Sequence, residues 1–238
     1  MPLKNKIKDN FSNAAINYSE GAIIQNHVAR HLASLANKYI KNNDHVLDLG
    51  CGTGFLGDEI LKEKNIKFFA SDISCEMLNQ VSDNQIKVNC DFDNLSFQND
   101  TFDVVVSSFS LQWSLNLLQT FEEAHRVLKN STSFIFAIPL QGSLQQLKNL
   151  GVKSINNFYD ANSINNLLKL AKFSKITFEE EITKQCYNNP LELLKNIKNL
   201  GANLIIDNNV NKNNLLTLRK FNNFEDSWNM GYFVCKKN

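Results

Sequence analysis

The sequence has no run of about 18 apolar residues, the length a membrane-crossing helix needs, so no membrane span is expected. Its opening, MPLKNKIKDNFSNAA, is basic with no apolar stretch behind it, which does not suit a secretory signal. Cysteine is sparse: Cys51, Cys75, Cys90, Cys186 and Cys235 are scattered, odd in number and without a C-x-x-C pair. That pattern fits reduced thiols in a cytoplasmic protein better than disulfides or a zinc site, and no bound metal is expected. An excess of either charge is missing as well, with 25 basic and 24 acidic residues giving a net +1. Surfaces that hold polyphosphate carry a clear basic excess, so nucleic acid is not an expected partner. Only four histidines occur, and none forms an obvious catalytic dyad.

What is present is a core-forming chain. With 43% hydrophobic residues in 238, residues 1–238 are expected to form one domain. Residues 11–40 carry Ala15, Tyr18, Ala22, Ile23, Val28, Leu32, Leu35 and Ala36 at helical spacing, which predicts a helical cap within 1–40. Strands are predicted at 44–49, 66–71, 86–90, 102–107 and 133–138, with helices at 55–64, 75–81 and 117–128 between them. This alternation indicates an α/β fold with a parallel, doubly wound, Rossmann-like sheet. Beyond residue 140 a helix is expected at 162–171, a strand at 175–187 and a last strand at 227–235. The intervening 188–226, with helical runs at 191–200 and 213–220, is too long for a structureless loop and is read as a helical lid insertion.

The glycine loop carries the chemistry. Asp48-Leu49-Gly50-Cys51-Gly52-Thr53-Gly54 runs from a strand into a helix. Gly50 and Gly52 allow a tight turn where a side chain would block a ligand, and the helix behind supplies free N–H groups. A dinucleotide fingerprint reads G-x-G-x-x-G and faces pyrophosphate. Here the spacing is G-x-G-x-G, and the preceding Asp48 would repel pyrophosphate but suit an ammonium group. That favours S-adenosylmethionine (SAM) as cofactor. Asp72, about 20 residues on, stands where a carboxylate grips ribose hydroxyls. Ile73 and Met77 could flank the adenine, Asp91 could accept from its amino group, and Phe92 could form an apolar wall. Ser107, at the end of the fourth strand, is assigned to the same site.

These segments resemble the class I SAM-dependent methyltransferases. A narrower resemblance, to the malonyl-[acyl carrier protein] O-methyltransferases of biotin synthesis, rests on FSNAAINYSEGAIIQNHVARHL, on SSFSLQW with the E-x-x-R-V-L segment at 123–128, on LQGSLQQL and on LLKNIKNLGAN. It implies that Asp48, Gly50, Gly52, Asp72, Asp91 and Phe92 contact SAM. It also implies a seven-stranded sheet with an antiparallel last strand, and a lid that meets the malonyl group and its carrier. Asn130-Ser131-Thr132 stands where the family has a Pro-Gly-Gly turn, and Asn tolerates the left-handed conformation such a turn requires.

A carboxylate acceptor titrates near 4 and is already ionised at neutral pH, so no general base is required. Tyr18, Gln112, Trp113 and Lys198 are the candidates for positioning it. His125 and Arg126 are expected to be structural. The expected substrate is malonyl-[acyl carrier protein] or malonyl-CoA, and Lys195, Lys198, Lys212, Arg219 and Lys220 in the insertion could dock an acidic carrier. Two alternatives remain open: a methyltransferase for another small molecule such as a quinone precursor, and a SAM-binding protein without transfer activity.

Overall fold

Strand β1 (His45–Leu49) is apolar on both faces and buried from Val46 onward, as an interior parallel strand must be. The same holds for β4 (Phe102–Ser108), its hydrogen-bonded neighbour. The computed structural model describes residues 3–152, 158–202, 218 and 223–238. Within them, β2 (Lys67–Asp72), β3 (Ile86–Asn89), β5 (Leu128–Pro139), β6 (Ser174–Tyr187) and β7 (Phe224–Lys236) complete a sheet of order β3-β2-β1-β4-β5-β7-β6. The first five strands run parallel, and β7 lies antiparallel between β5 and β6.

Helices cover both faces. On one side lie α3 (Ile23–Ala36), which buries Val28, Leu32 and Ala36, and α4 (Phe55–Leu61), which buries Leu56 and Ile60. On the other lie α6 (Leu117–Val127) and α8 (Ala161–Leu170), which bury Phe121, Ala124, Ile164 and Leu168 against Phe134 and Phe136. Each such valine, leucine, isoleucine or phenylalanine side chain removed from water contributes about 1.5–3 kcal/mol. Short helices α5 (Cys75–Leu78) and α7 (Gln145–Asn149) follow β2 and β5. The outer strand β6 is largely exposed, and aromatic packing holds it. Phe178 stacks on Phe233 at 5.2 Å, and Phe233 stacks on Phe136 at 5.1 Å, so one column ties β6, β7 and β5 together. Across the sheet, Glu181 of β6 meets His27 and His31 of α3 at 2.9 and 3.0 Å.

Several boundaries differ from expectation. The N-terminal region is helical from residue 3: α1 (Leu3–Ala14) precedes α2 (Tyr18–Gly21) and α3. Strand β5 begins at Leu128, and the left-handed residue near its start is Ser131 (φ 65°) rather than Asn130. Ser131 N–H donates to Lys237 O at 3.0 Å, and Thr132 Oγ1 donates to Lys129 O at 2.7 Å, so β7 pins the irregularity in place. Of the two helical runs in the insertion, α9 (Pro190–Asn199) is present, while 213–220 lies outside the described residues except for Leu218.

Among the described residues no helix is long and apolar enough to cross a membrane. Arg126 pins the 95–99 loop, donating to Phe97 O at 2.7 Å and Leu95 O at 3.0 Å, and His125 packs edge-on against Phe173. Burial lowers the His125 pKa. Both residues are structural, as their positions in the sequence suggest.

Candidate active site

The carboxyl ends of β1, β2 and β3 converge on a cavity of about 920 Å³. It lies where chain connections diverge from the middle of an open sheet, the usual ligand crevice of such folds. Asp48, Gly50, Gly52, Asp72, Ile73, Met77, Asp91 and Phe92 all lie on its wall.

Gly50 has φ 71°, and a Cβ there would stand 2.7 Å from the Ser110 side chain, so both its conformation and its lack of a side chain are required. Gly52 has φ 55°, and nothing stands within 4 Å of where its Cβ would be. Gly52 N–H donates to Asp72 Oδ2 at 3.0 Å, and Ser74 N–H donates to Asp72 Oδ1 at 2.8 Å. These bonds fix the Asp72 carboxylate and leave lone pairs facing the cavity. Burial raises its pKa to about 6, and the backbone donors from Ser74 and Gly52 oppose that rise.

Asp48 is the more demanding group. It is 1% exposed, and neither carboxylate oxygen has a hydrogen-bond partner among the described residues. Burial, and then the charge of Asp72, push its pKa well above the usual carboxylate range. An isolated buried carboxylate is costly, and a bound cation would satisfy it. These two acceptors would suit SAM, with its ammonium group at Asp48 and its ribose diol at Asp72.

Ser107 is not on the cavity wall. It is fully buried, and its hydroxyl donates to Leu49 O at 2.8 Å beneath the loop. Its neighbour Ser108 lies on the wall instead. The N-terminal helices close the other side with Lys4, Ile7, Phe11, Tyr18 and Gln25. Lys4 forms ion pairs with Asp91 at 2.6 Å and with Asp93, which places a cation at the carboxylate assigned to the adenine amino group.

A second chamber, of about 580 Å³, shares Phe11, Tyr18, Gln25, Phe109 and Trp113 with the first. Its far wall includes Phe158, Tyr187, Leu193, Ile197 and Trp228. No charged side chain lines it among the described residues. Burial and Asp72 drive the Tyr18 pKa up, and burial with Asp226 and Glu192 pushes Tyr187 up to about 12, so both phenols remain protonated donors at neutral pH. Trp113 packs edge-on against Phe11 at 5.2 Å, and Gln112 Nε2 donates to Phe109 O at 2.8 Å.

Tyr18, Gln112 and Trp113 therefore line the chamber, whereas Lys198 does not. Helix α9 buries Leu193 and Ile197, and the residue after Ile197 is turned about 100° away. Lys198 is consequently exposed in an outer groove. Lys212, Arg219 and Lys220 lie outside the described residues. Lys4, Phe11, Gln25, Phe109, Tyr187 and Trp228 are wall residues that the sequence reading passed over. Only Phe11 had a local signal, the i, i+4, i+8 series Leu3, Ile7, Phe11.

The methyltransferase domain family matches residues 47–136, which span β1 to β5. The malonyl-[acyl-carrier protein] O-methyltransferase 2 of Ilyobacter polytropus is 30% identical over 247 residues, covering 96% of this chain and 91% of that protein. A mitochondrial arginine hydroxylase of Homo sapiens is 31% identical over 192 residues, covering 75% of this chain but 56% of that protein. Among solved structures, the phosphoethanolamine N-methyltransferase 2 of Haemonchus contortus with S-adenosyl-L-methionine has a TM-score of 0.59. It is 17% identical, with 87% of this chain and 52% of that one covered, a likeness of fold.

Proposed function

The chain belongs to the malonyl-[acyl-carrier protein] O-methyltransferase family, and from that membership we propose that this SAM-dependent methyltransferase esterifies the free carboxylate of a malonyl thioester carried by an acyl carrier protein. The observation that carries this reading is the chemistry of the second chamber. It offers neutral donors and aromatic walls beside the cofactor cavity, with no charged side chain among the described residues.

Bound SAM supplies an electrophilic methyl group on a sulfonium. The acceptor carboxylate needs no deprotonation at neutral pH, so the protein's task is to align an oxygen behind that methyl and exclude water. Neutral donors suit this task. A fixed guanidinium or ammonium would hold a carboxylate tightly, but it would also draw off the charge that makes the oxygen nucleophilic. Tyr18 lines both cavities and keeps its proton, which makes it the donor best placed at the junction. Phe11, Phe109 and Trp113 form the shared apolar wall that keeps water from the transfer path. The ester product has lost the anionic charge, so it should leave a neutral-donor site readily.

Incubation with SAM and malonyl-carrier should add one methyl group by mass, and acetyl-carrier, which has no free carboxylate, should gain none. Equal methylation of both carriers would refute the carboxylate as acceptor.

A further inference from the structure

The two outer strands of the sheet differ in length: β3 spans 4 residues and β6 spans 14. Among the described residues β6 has one hydrogen-bonded neighbour, β7, so every second residue directs its N–H and C=O outward along an open edge. An edge of that length recruits another strand unless it is covered or charged. Phe178, Glu180, Ile182, Lys184 and Cys186 alternate onto the α8 face of the strand, and all five are exposed. Ile182 is 67% exposed and Phe178 45%, which is apolar surface that a partner would cover.

The charges select that partner. In a two-fold pair of identical antiparallel strands, the residue on the axis faces itself. An axis at Glu179, Glu180 or Glu181 sets carboxylate against carboxylate, which is repulsive. An axis at Thr183 sets Ile182 against the partner's Lys184, and registers shifted toward the start of β6 run into the irregularity between Ser174 and Thr177. An axis at Ile182 has neither fault. Ile182 then meets the partner's Ile182, Glu180 meets the partner's Lys184 and Lys184 the partner's Glu180, while Phe178 falls across from the partner's Cys186. On the opposite face Glu179 stands across from the partner's Gln185 and Glu181 from the partner's Thr183, both neutral. Lys184 already pairs with Glu225 at 2.9 Å, but an ammonium carries three N–H groups and can serve two carboxylates.

We propose that two copies of this chain pair through β6 with the two-fold axis at Ile182, so that one sheet runs through both. The three glutamates then act as negative design, rejecting other strands and other registers. The cofactor cavity lies at the carboxyl ends of β1, β2 and β3, in the other half of the sheet, so each copy keeps its own site.

The test is the mass of the full chain in solution, measured by sedimentation over a concentration series. The parent should sediment at twice the chain mass. Lys184→Glu and Glu180→Lys each oppose like charges across the axis and should shift it to the single-chain mass. The double variant Glu180→Lys/Lys184→Glu restores opposite charges at both contacts and should return the dimer. Directly opposed residues of an antiparallel pair have Cα atoms about 4.5–5.5 Å apart, within the span of about 4.4–6.8 Å that a disulfide bridges. Ile182→Cys should therefore cross-link two chains under copper-catalysed air oxidation, whereas Ile86→Cys on β3, at the other edge, should not. S-adenosylhomocysteine affinity at the parent's value shows that each variant is folded. A parent of single-chain mass at every concentration overturns the pairing, and so does an Ile182→Cys variant that cross-links no better than Ile86→Cys. A dimer indifferent to the single reversals, or a folded double variant that stays a single chain, overturns the register and the proposal with it.

Discussion

To accept hydrogen bonds from a ribose diol with both oxygens, the role we propose for it, Asp72 must be charged, yet its surroundings resist the charge. Burial raises its pKa to about 6, and hydroxyl donors from a bound ligand favour the ionised form. Below that pH, binding must therefore release a proton, and SAM affinity should fall by up to about tenfold per pH unit as pH drops through 6. Asp48, raised for the same reason, acts in the same direction. The effect on stability has the opposite sign. The ligand-free fold holds the Asp72 proton more tightly than the unfolded chain, so this group's contribution falls as pH rises from about 4 to about 6 and is constant above. Calorimetry at pH 5 and 7.5, in buffers of different ionisation enthalpy, should detect the released proton at the lower pH; identical affinities would show that Asp72 is not engaged. Residues of this kind were legible in the sequence because each stands at a strand end in a glycine or acidic pattern. Ser107 was misassigned because β4 is buried on both faces, which removes the alternation that would have told it from Ser108.

Helix α1 was largely illegible. Its segment LKNKIKDNFSNA is mostly polar, with only Ile7 and Phe11 packed on the core, and ionic and hydrogen-bonded contacts add to that hold. Lys4 bridges Asp91 and Asp93, while Ser12 donates to Glu76 at 2.6 Å and lies 2.9 Å from the Ser74 hydroxyl. Periodicity detects buried faces and misses such tethers. The Lys4 side chain is 19% exposed, so its pairs are partly shielded from solvent. Removing it should loosen α1 over the cofactor cavity without touching the glycine loop. Lys4→Ala should speed SAM release about three- to tenfold, as expected for losing two partly shielded pairs of up to about 1 kcal/mol each. A stopped-flow chase measures the rate, and a parental rate would mean that α1 does not gate the cofactor. Helix α9 was legible at both ends, since Pro190 and the Asn189 cap start it and Gly201 follows it.

Alternating strands and helices made the parallel half of the sheet readable from local pattern, whereas the antiparallel last strand came only from the family resemblance, and its place between β5 and β6 was not read at all. Pairing order is a long-range property that no window of residues encodes, and the second chamber depends on it. Trp228 on β7, Tyr187 on β6 and Phe11 on α1 meet only once the sheet is closed in that order. The same assembly joins the two cavities through Phe11, Tyr18, Gln25, Phe109 and Trp113. A ligand in either cavity must order these five side chains, and a ligand entering the other then finds that cost already met. S-adenosylhomocysteine, which binds without reacting, should therefore raise the affinity for malonyl-phosphopantetheine by about fivefold or more. Linkage requires the thioester to raise S-adenosylhomocysteine affinity by the same factor. Titrating each ligand in the absence and presence of the other yields both factors. Coupling factors near one in both directions would mean that the shared wall is rigid before either ligand arrives.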